Sequence, residues 1–141
     1  FDKVLALHVL EHVDDAVALA KHLRDWLKPD GELIVILPNK ESLHRRLAVI
    51  MGLAPELDTL SARDHLVGHQ RVYDLAGLHR DLIEAGFEPF EDKGFFLKVL
   101  PNSMMLSHSP ELIKALNILG DQLPMEMMAN IAVRARLAER G

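Results

Sequence analysis

Apolar residues along this chain alternate between short continuous runs and stripes at helical spacing. Val4-Leu-Ala-Leu7 follows the charged pair Asp2-Lys3 and has the look of a buried parallel strand. Asp14 and Asp15 then supply a helix start, and Val17, Leu19, Ala20, Leu23, Trp26 and Leu27 recur at helical spacing up to Lys28. Pro29-Asp30-Gly31 stops that helix. Leu33-Ile-Val-Ile-Leu37 is uninterrupted and rich in β-branched residues, which suits a strand covered on both faces and ended by Pro38.

Strand, helix and strand at this spacing predict a βαβ unit with a right-handed crossover, so the sheet is at least partly parallel. A second helix is expected from Glu41 to Gly52, with Leu43, Leu47, Ile50 and Met51 on one side. A polar, irregular stretch follows to about Val72. Asp74 caps a further helix that carries Leu75, Leu78, Leu82 and Ile83 and stops at Gly86. Phe87 to Leu100 reads as two extended pieces separated near Lys93-Gly94, and Pro110 to Gly120 as a short helix. Ile131, Val133, Ala135 and Leu137 alternate with Asn130, Ala132, Arg134 and Arg136, the period of a strand with one wetter face. The order β-α-β-α-α-β-α-β places the chain in the α/β class.

Composition narrows this picture without changing it. The 141 residues are 49% hydrophobic and 26% charged, which excludes disorder, collagen and coiled coil and allows one core. A net charge of -5 gives no basic footprint, so nucleic acid is disfavoured as a partner. There is no cysteine, hence no disulfide and no thiolate nucleophile, and no apolar stretch is long enough to span a membrane. Cytoplasm is the expected compartment. The first residue is Phe1, not Met, and further sequence is expected upstream of it.

Three pieces in order carry a resemblance: Phe1-Asp-Lys-Val-Leu-Ala-Leu-His-Val-Leu-Glu-His-Val13, Leu27-Lys-Pro-Asp-Gly31 with its strand to Pro38-Asn39, and Glu84-Ala-Gly-Phe87. Together they resemble the class I S-adenosylmethionine-dependent methyltransferases. The resemblance implies a Rossmann-like mixed sheet, with strand four at Val4 to Leu7, strand five at Leu33 to Leu37, strand six from Phe87, and an antiparallel strand seven at Ala129 to Leu137. Residues 1-141 would then be the carboxyl-terminal part of a single methyltransferase domain. The Gly-rich turn and acidic residue that hold the cofactor in that family have no counterpart here, since no G-x-G occurs. Strand four would lie at an open edge, so this stretch alone is expected to be of low stability or to associate, and to be inactive.

The implied reaction is methyl transfer from S-adenosylmethionine to an oxygen, nitrogen or carbon nucleophile of a small or medium-sized acceptor. By the same resemblance Leu7 and His8, just after strand four, meet the cofactor. Pro38 and Asn39 end the next strand at the same crevice, and Arg71 and Tyr73 stand near the substrate-facing segment. His65 and His69 are the candidate general bases, because an imidazole suits proton removal near neutral pH. The insert after strand five and the excursion from Gly94 to Met128 would form a lid, with methionines 104, 105, 125, 127 and 128 packing core and lid. His44, Arg45 and Arg46 read as a solvated helix face.

His8-Val-Leu-Glu11-His12 also matches the H-x-x-E-H pattern of zinc peptidases, in which a helix would present both imidazoles on one face. Some methyltransferases similar to this chain hold a divalent cation at this loop. Spacing identifies no third ligand, the segment follows a strand, and a role for Glu11 and His12 in bracing the next helix is preferred, so no metal is assigned. A zinc hydrolase remains the alternative enzyme. A non-catalytic α/β module, pairing with another chain or with its own copy through the open edge, is the alternative outside catalysis.

Overall fold

The computed structural model describes residues 1–100 and 104–139. Four strands, β1 (Lys3–Leu7), β2 (Glu32–Pro38), β3 (Phe87–Phe95) and β4 (Asn130–Leu137), form one sheet in the order β1-β2-β4-β3. β1 and β2 are parallel, with Lys3 opposite Glu32 and Leu7 opposite Ile36. β4 runs antiparallel to both neighbours, so β3 points the same way as β1 and β2. This is the α/β, Rossmann-like mixed sheet expected, with the antiparallel strand inserted before the last edge.

Among the described residues five α-helices connect the strands: α1 (Ala16–Arg24), α2 (Leu43–Ile50), α3 (Ala62–Leu66), α4 (Leu75–Glu84) and α5 (Pro110–Gly120). Two caps fall where the sequence placed them. Asp15 accepts from the Ala18 N–H at 2.8 Å, and Asp74 accepts from the Gly77 N–H at 2.7 Å, each satisfying an otherwise orphaned donor of the first turn. Gly86 ends α4 with φ +88°, a conformation that costs glycine nothing.

α1 and α4 cover one face of the sheet. Ala20, Leu23, Leu78 and Leu82 pack there on Leu33, Val35, Leu37, Ile131, Val133 and Ala135 in a single core. Among the described residues no helix covers the other face. On it Leu5 and Leu7 stand 62% and 47% exposed beside half-buried Ile34 and Ile36. Toward β4 the same face becomes ionic: Arg134 forks onto both oxygens of Glu32 at 3.0 Å, pairs with Glu91 and lies over the Phe90 ring. The alternating pattern of β4 thus has its wetter face, as expected.

Four expectations are corrected. Among the described residues β2 is covered on one face only. α1 ends at Arg24 rather than Lys28, because Asp25, Trp26 and Leu27 donate to carbonyls three residues back and tighten the chain into turns. α2 is shorter than Glu41 to Gly52. β3 is one strand that passes through Lys93-Gly94, with its irregularity between Pro89 and Glu91. Gly94 does not break the strand. A Cβ there would meet the Met125 main chain, with Met125 C only 2.8 Å away, so the glycine allows a close approach between β3 and the turn at Met125–Met127.

Candidate functional site

β1 delivers the chain to the carboxyl end of the parallel pair, where ligands bind in open α/β sheets. His8 follows with φ +53°, a left-handed conformation that histidine adopts more readily than most residues. Its N–H donates to the Ile36 carbonyl at 2.8 Å, and the chain then leaves the sheet. Leu7, His8 and Val9 remain exposed at this end, and Leu10 and Glu11 turn inward to 1% and 0% exposure.

Residues 8–13 form a turn, closed in part by the His12 N–H on the Val9 carbonyl, and not a helix. The helical face assumed in matching the zinc-peptidase pattern is therefore absent. What holds the turn is a distant segment. The Gln70 N–H donates to the Glu11 carbonyl at 2.8 Å, and the Gln70 side chain reaches the His12 carbonyl and the Asp14 carboxylate. Arg71 completes the clamp: its guanidinium donates to the carbonyls of Leu10, Val13 and Asp14 at 2.9, 2.5 and 2.9 Å.

The clamp brings His69 against His12, ring centroids 4.6 Å apart and edge to face. Glu11, His12 and His69 each offer an atom within 4.8 Å of the other two. The His8 Nδ1 lies 3.2 Å from Glu11 Oε1, yet neither oxygen of the buried Glu11 carboxylate has a hydrogen bond among the described residues. His69 Nδ1 is hydrogen-bonded to Asp64 Oδ1 at 2.9 Å. Burial pushes the Asp64 carboxyl up, but the Ser61 N–H and hydroxyl, the Arg45 charge and His69 outweigh it and hold its pKa below the ordinary value. Asp64 is thus an anion that fixes the ring of His69.

The other expected site residues are placed as follows. Asn39 is buried, its amide donating to the Glu126 and Met128 carbonyls at 2.7 and 2.8 Å and accepting from the Glu41 N–H, so it clips the end of β2 to the entry of β4. It lines a cleft of about 240 Å³ with Glu41, Asp74, Leu75 and Glu126, where the Lys40 ammonium at 2.7 Å from Asp74 holds that carboxyl low. Pro38 precedes it as the last residue of β2, half-buried. Tyr73 is buried in the core and donates to Asp81 at 2.9 Å; burial and that carboxylate push its phenol well above the usual pKa. His65 is exposed on α3, outside the Glu11, His12 and His69 cluster.

The α2 face is less solvated than its charges suggested. Arg45 binds the Leu57 and Thr59 carbonyls and Asp64, and Arg46 binds Glu41. Burial, with the nearby Lys98 and Arg45 charges, pushes His44 down to about 4. Of the five methionines singled out, Met128 is buried, and Met104 and Met125 are exposed.

The sequence did not reveal α3 or the meeting of His12 with His69. One signal was available: Ser61-Ala-Arg-Asp64 closes as a capping box, its Ser61 hydroxyl and Asp64 carboxylate each satisfying the other's backbone N–H.

A family model described as a methyltransferase domain matches residues 1–91, from β1 into β3. The chain belongs to this methyltransferase family. No curated protein matches it in sequence. Solved structures share its fold at low identity. An S-adenosylmethionine-dependent methyltransferase from Mesorhizobium loti is 16% identical with a TM-score of 0.60, and the match covers 96% of this chain and 61% of that one. A possible histamine N-methyltransferase from Thermotoga maritima is 20% identical with a TM-score of 0.58, covering 96% and 55%. Magnesium protoporphyrin IX methyltransferase from Synechocystis, solved with S-adenosylhomocysteine, is 18% identical with a TM-score of 0.51, covering 99% and 45%. The methyltransferase chain therefore spans about three fifths or less of these relatives. Among its described residues no helix is long and apolar enough to cross a membrane.

Proposed function

We propose that residues 1–141 are the carboxyl-terminal part of one methyltransferase domain, and that the whole protein transfers a methyl group from S-adenosylmethionine to an oxygen, nitrogen or carbon nucleophile of a small or medium-sized acceptor. The observation that carries this reading is the sheet order β1-β2-β4-β3 with β4 reversed, joined to a family match that begins at β1. The residues present suit one side of the cofactor. Leu7, His8 and Val9 leave an apolar, solvent-facing surface at the carboxyl end of β1 against which a nucleoside and its thioether stem would lie. S-adenosylmethionine would supply the electrophilic methyl group.

Methyl transfer from a sulfonium is an in-line displacement, so the protein chiefly aligns the nucleophile, excludes water and, where needed, removes a proton. Rigid support for alignment comes from the Arg71 and Gln70 clamp, which fixes the loop after β1. Of the two histidines expected as bases, the fold brings His69 to that loop. Asn39, Arg71 and Tyr73 support a substrate role only at second hand, by shaping the crevice, since their polar groups are engaged within the chain.

Calorimetry of the full-length protein with S-adenosylhomocysteine tests the cofactor half of the proposal, and transfer of labelled methyl from S-adenosylmethionine to an acceptor panel tests the reaction. Micromolar binding that weakens at least about tenfold in Leu7→Asp is expected. A folded full-length protein that fails to bind would refute the reading.

A further inference from the structure

We infer that Lys98, backed by His44 and Arg45, forms an anion-binding subsite for a carboxylate or phosphate group of the methyl acceptor, an assignment that rests on the methyltransferase reading and narrows its acceptor class. Lys98 stands three residues past the end of β3 and is half-buried. Its ammonium has no ion pair among the described residues, whereas the similarly half-buried Lys40 lies 2.7 Å from Asp74, a bond that raises its pKa. The Lys98 ammonium is instead shifted down, by burial first and then by the Arg45 charge. A cation withdrawn from water with no counter-ion is unfavourable, and an anion brought by a ligand removes that cost.

The surroundings are cationic. Arg45 and Arg63 act on Lys98 as like charges, and Asp64 is the opposing acid. Asp64 is already engaged: the Ser61 N–H and hydroxyl each donate to it at 2.8 Å, Arg45 pairs with it at 3.2 Å, and His69 holds its other oxygen. Arg45 in turn donates to the Leu57 and Thr59 carbonyls at 3.1 and 3.0 Å, so it lends its charge from a fixed position. His44 adds a donor. Its half-buried imidazole feels the Lys98 charge and is uncharged at neutral pH, and Nδ1 has no hydrogen-bonding partner among the described residues. A neutral imidazole carries one N–H to offer. His44 belongs to the first turn of α2, whose N-cap residue Ser42 is buried, makes no side-chain capping bond and leaves its hydroxyl unpartnered. The positive end of the α2 dipole therefore adds to the same field.

Position argues for the acceptor rather than the methyl donor. β3 points the same way as β1, so its carboxyl end, which leads to Lys98, opens on the same end of the sheet as Leu7 and His8. Two strands separate β1 from β3, which sets their ends roughly 14 Å apart at about 4.8 Å per strand spacing. A donor lying against β1 occupies the opposite side of the crevice, and a medium-sized acceptor reaching across from it brings a distal anionic group to Lys98. Carboxylate and phosphate both present oxygens that accept charge-assisted hydrogen bonds from an ammonium and a further bond from an imidazole N–H.

The test follows thermal unfolding of the full-length protein, with and without saturating S-adenosylhomocysteine, in sodium phosphate, sodium acetate and sodium chloride at equal ionic strength. Millimolar binding of the free anion should raise Tm by about 2–5 °C at about 50 mM phosphate or acetate relative to chloride, and the larger of the two shifts tells phosphate from carboxylate. Lys98→Met should abolish the shift, Lys98→Arg should keep at least half of it, and Lys21→Met, exposed on α1, should leave it unchanged. In chloride alone Lys98→Met should be at least as stable as the parent, since it removes a cation crowded by Arg45; a purely structural lysine predicts a lower Tm. In methyl transfer, Lys98→Met should raise KM at least about tenfold for an acceptor bearing the favoured group, with kcat little changed, and should not affect an acceptor lacking it. No anion-specific shift in the parent, equal shifts in the parent and Lys98→Met, or a destabilised Lys98→Met in chloride would each overturn the subsite. A shift seen only without S-adenosylhomocysteine would assign the site to the carboxylate of the methyl donor and overturn its assignment to the acceptor. Failure to bind S-adenosylhomocysteine strikes the methyltransferase reading instead, and the anion shifts of the ligand-free protein are read independently of it.

Discussion

Replacing Arg71 by alanine removes the fastening of the loop after β1. The guanidinium makes three hydrogen bonds to backbone carbonyls, at Leu10, Val13 and Asp14, the first two part-buried and the third exposed. A hydrogen bond involving a charged group contributes about 1.5–3 kcal/mol when protected from water, and an exposed one far less. Because one group makes all three bonds, their losses are coupled, and a total of about 3 kcal/mol is the reasonable expectation. That corresponds to roughly a hundredfold change in the folding equilibrium. Arg71→Lys keeps the charge, but a single ammonium lacks the planar fork that spans several carbonyls, so it should recover less than half of the loss. Urea unfolding of the full-length parent and both variants, followed by circular dichroism, measures the free energy. Calorimetry with S-adenosylhomocysteine on the folded variants measures the effect on the loop that bears Leu7 and His8. A loss under about 0.5 kcal/mol in the alanine variant, or full rescue by lysine, would refute the clamp.

Three further outcomes are expected. Gly94→Ala should destabilise the protein by about 1–3 kcal/mol, read as a lower urea midpoint, since its Cβ would meet backbone at Met125 rather than a movable side-chain end. His44 is held down to about 4 in the folded protein, so as pH falls through about 6.5 the unfolded chain takes the proton first. Stability is then fully present above that pH and declines toward pH 4, by about 2 kcal/mol after allowing for partial exposure, and His44→Phe should flatten this part of the pH profile. The stretch Phe1–Gly141 expressed alone should self-associate in sedimentation, through the face where Leu5 and Leu7 stand open, and Leu5→Glu should reduce the association.

Residues with local causes were legible in the sequence. Asp15, Asp74 and Gly86 act within a turn of themselves, and the alternation of β4 reports its two faces directly. What escaped detection depended on residues far apart in the chain. β2 reads as covered on both faces because Ile34 and Ile36 are as apolar as Leu33 and Val35, and nothing local distinguishes a face packed by α1 and α4 from one without a helix. Gly94 looks like a breaker until Met125 is seen against it. Arg71 and Asn39 looked like polar groups available to a substrate, but both bind carbonyls more than fifty positions away. The meeting of His12 with His69 escaped for the same reason, since the Gln70 and Arg71 contacts that join the two segments span more than fifty positions.

β4, made after β1, β2 and β3, sits between β2 and β3, pairing with both along nearly its whole length. On the ribosome β2 and β3 therefore have no hydrogen-bonding partner between them until residues 130–137 emerge. At about 5–20 residues per second the interval from Phe95 to Leu137 lasts roughly 2–8 s. Throughout it, β2 presents an unpaired backbone edge beside the apolar side chains of Leu33, Val35 and Leu37. Nascent chains of this protein should depend on chaperone cover during those seconds, and a stop codon placed before residue 130 should send the product to aggregation or proteolysis rather than leave a smaller folded domain.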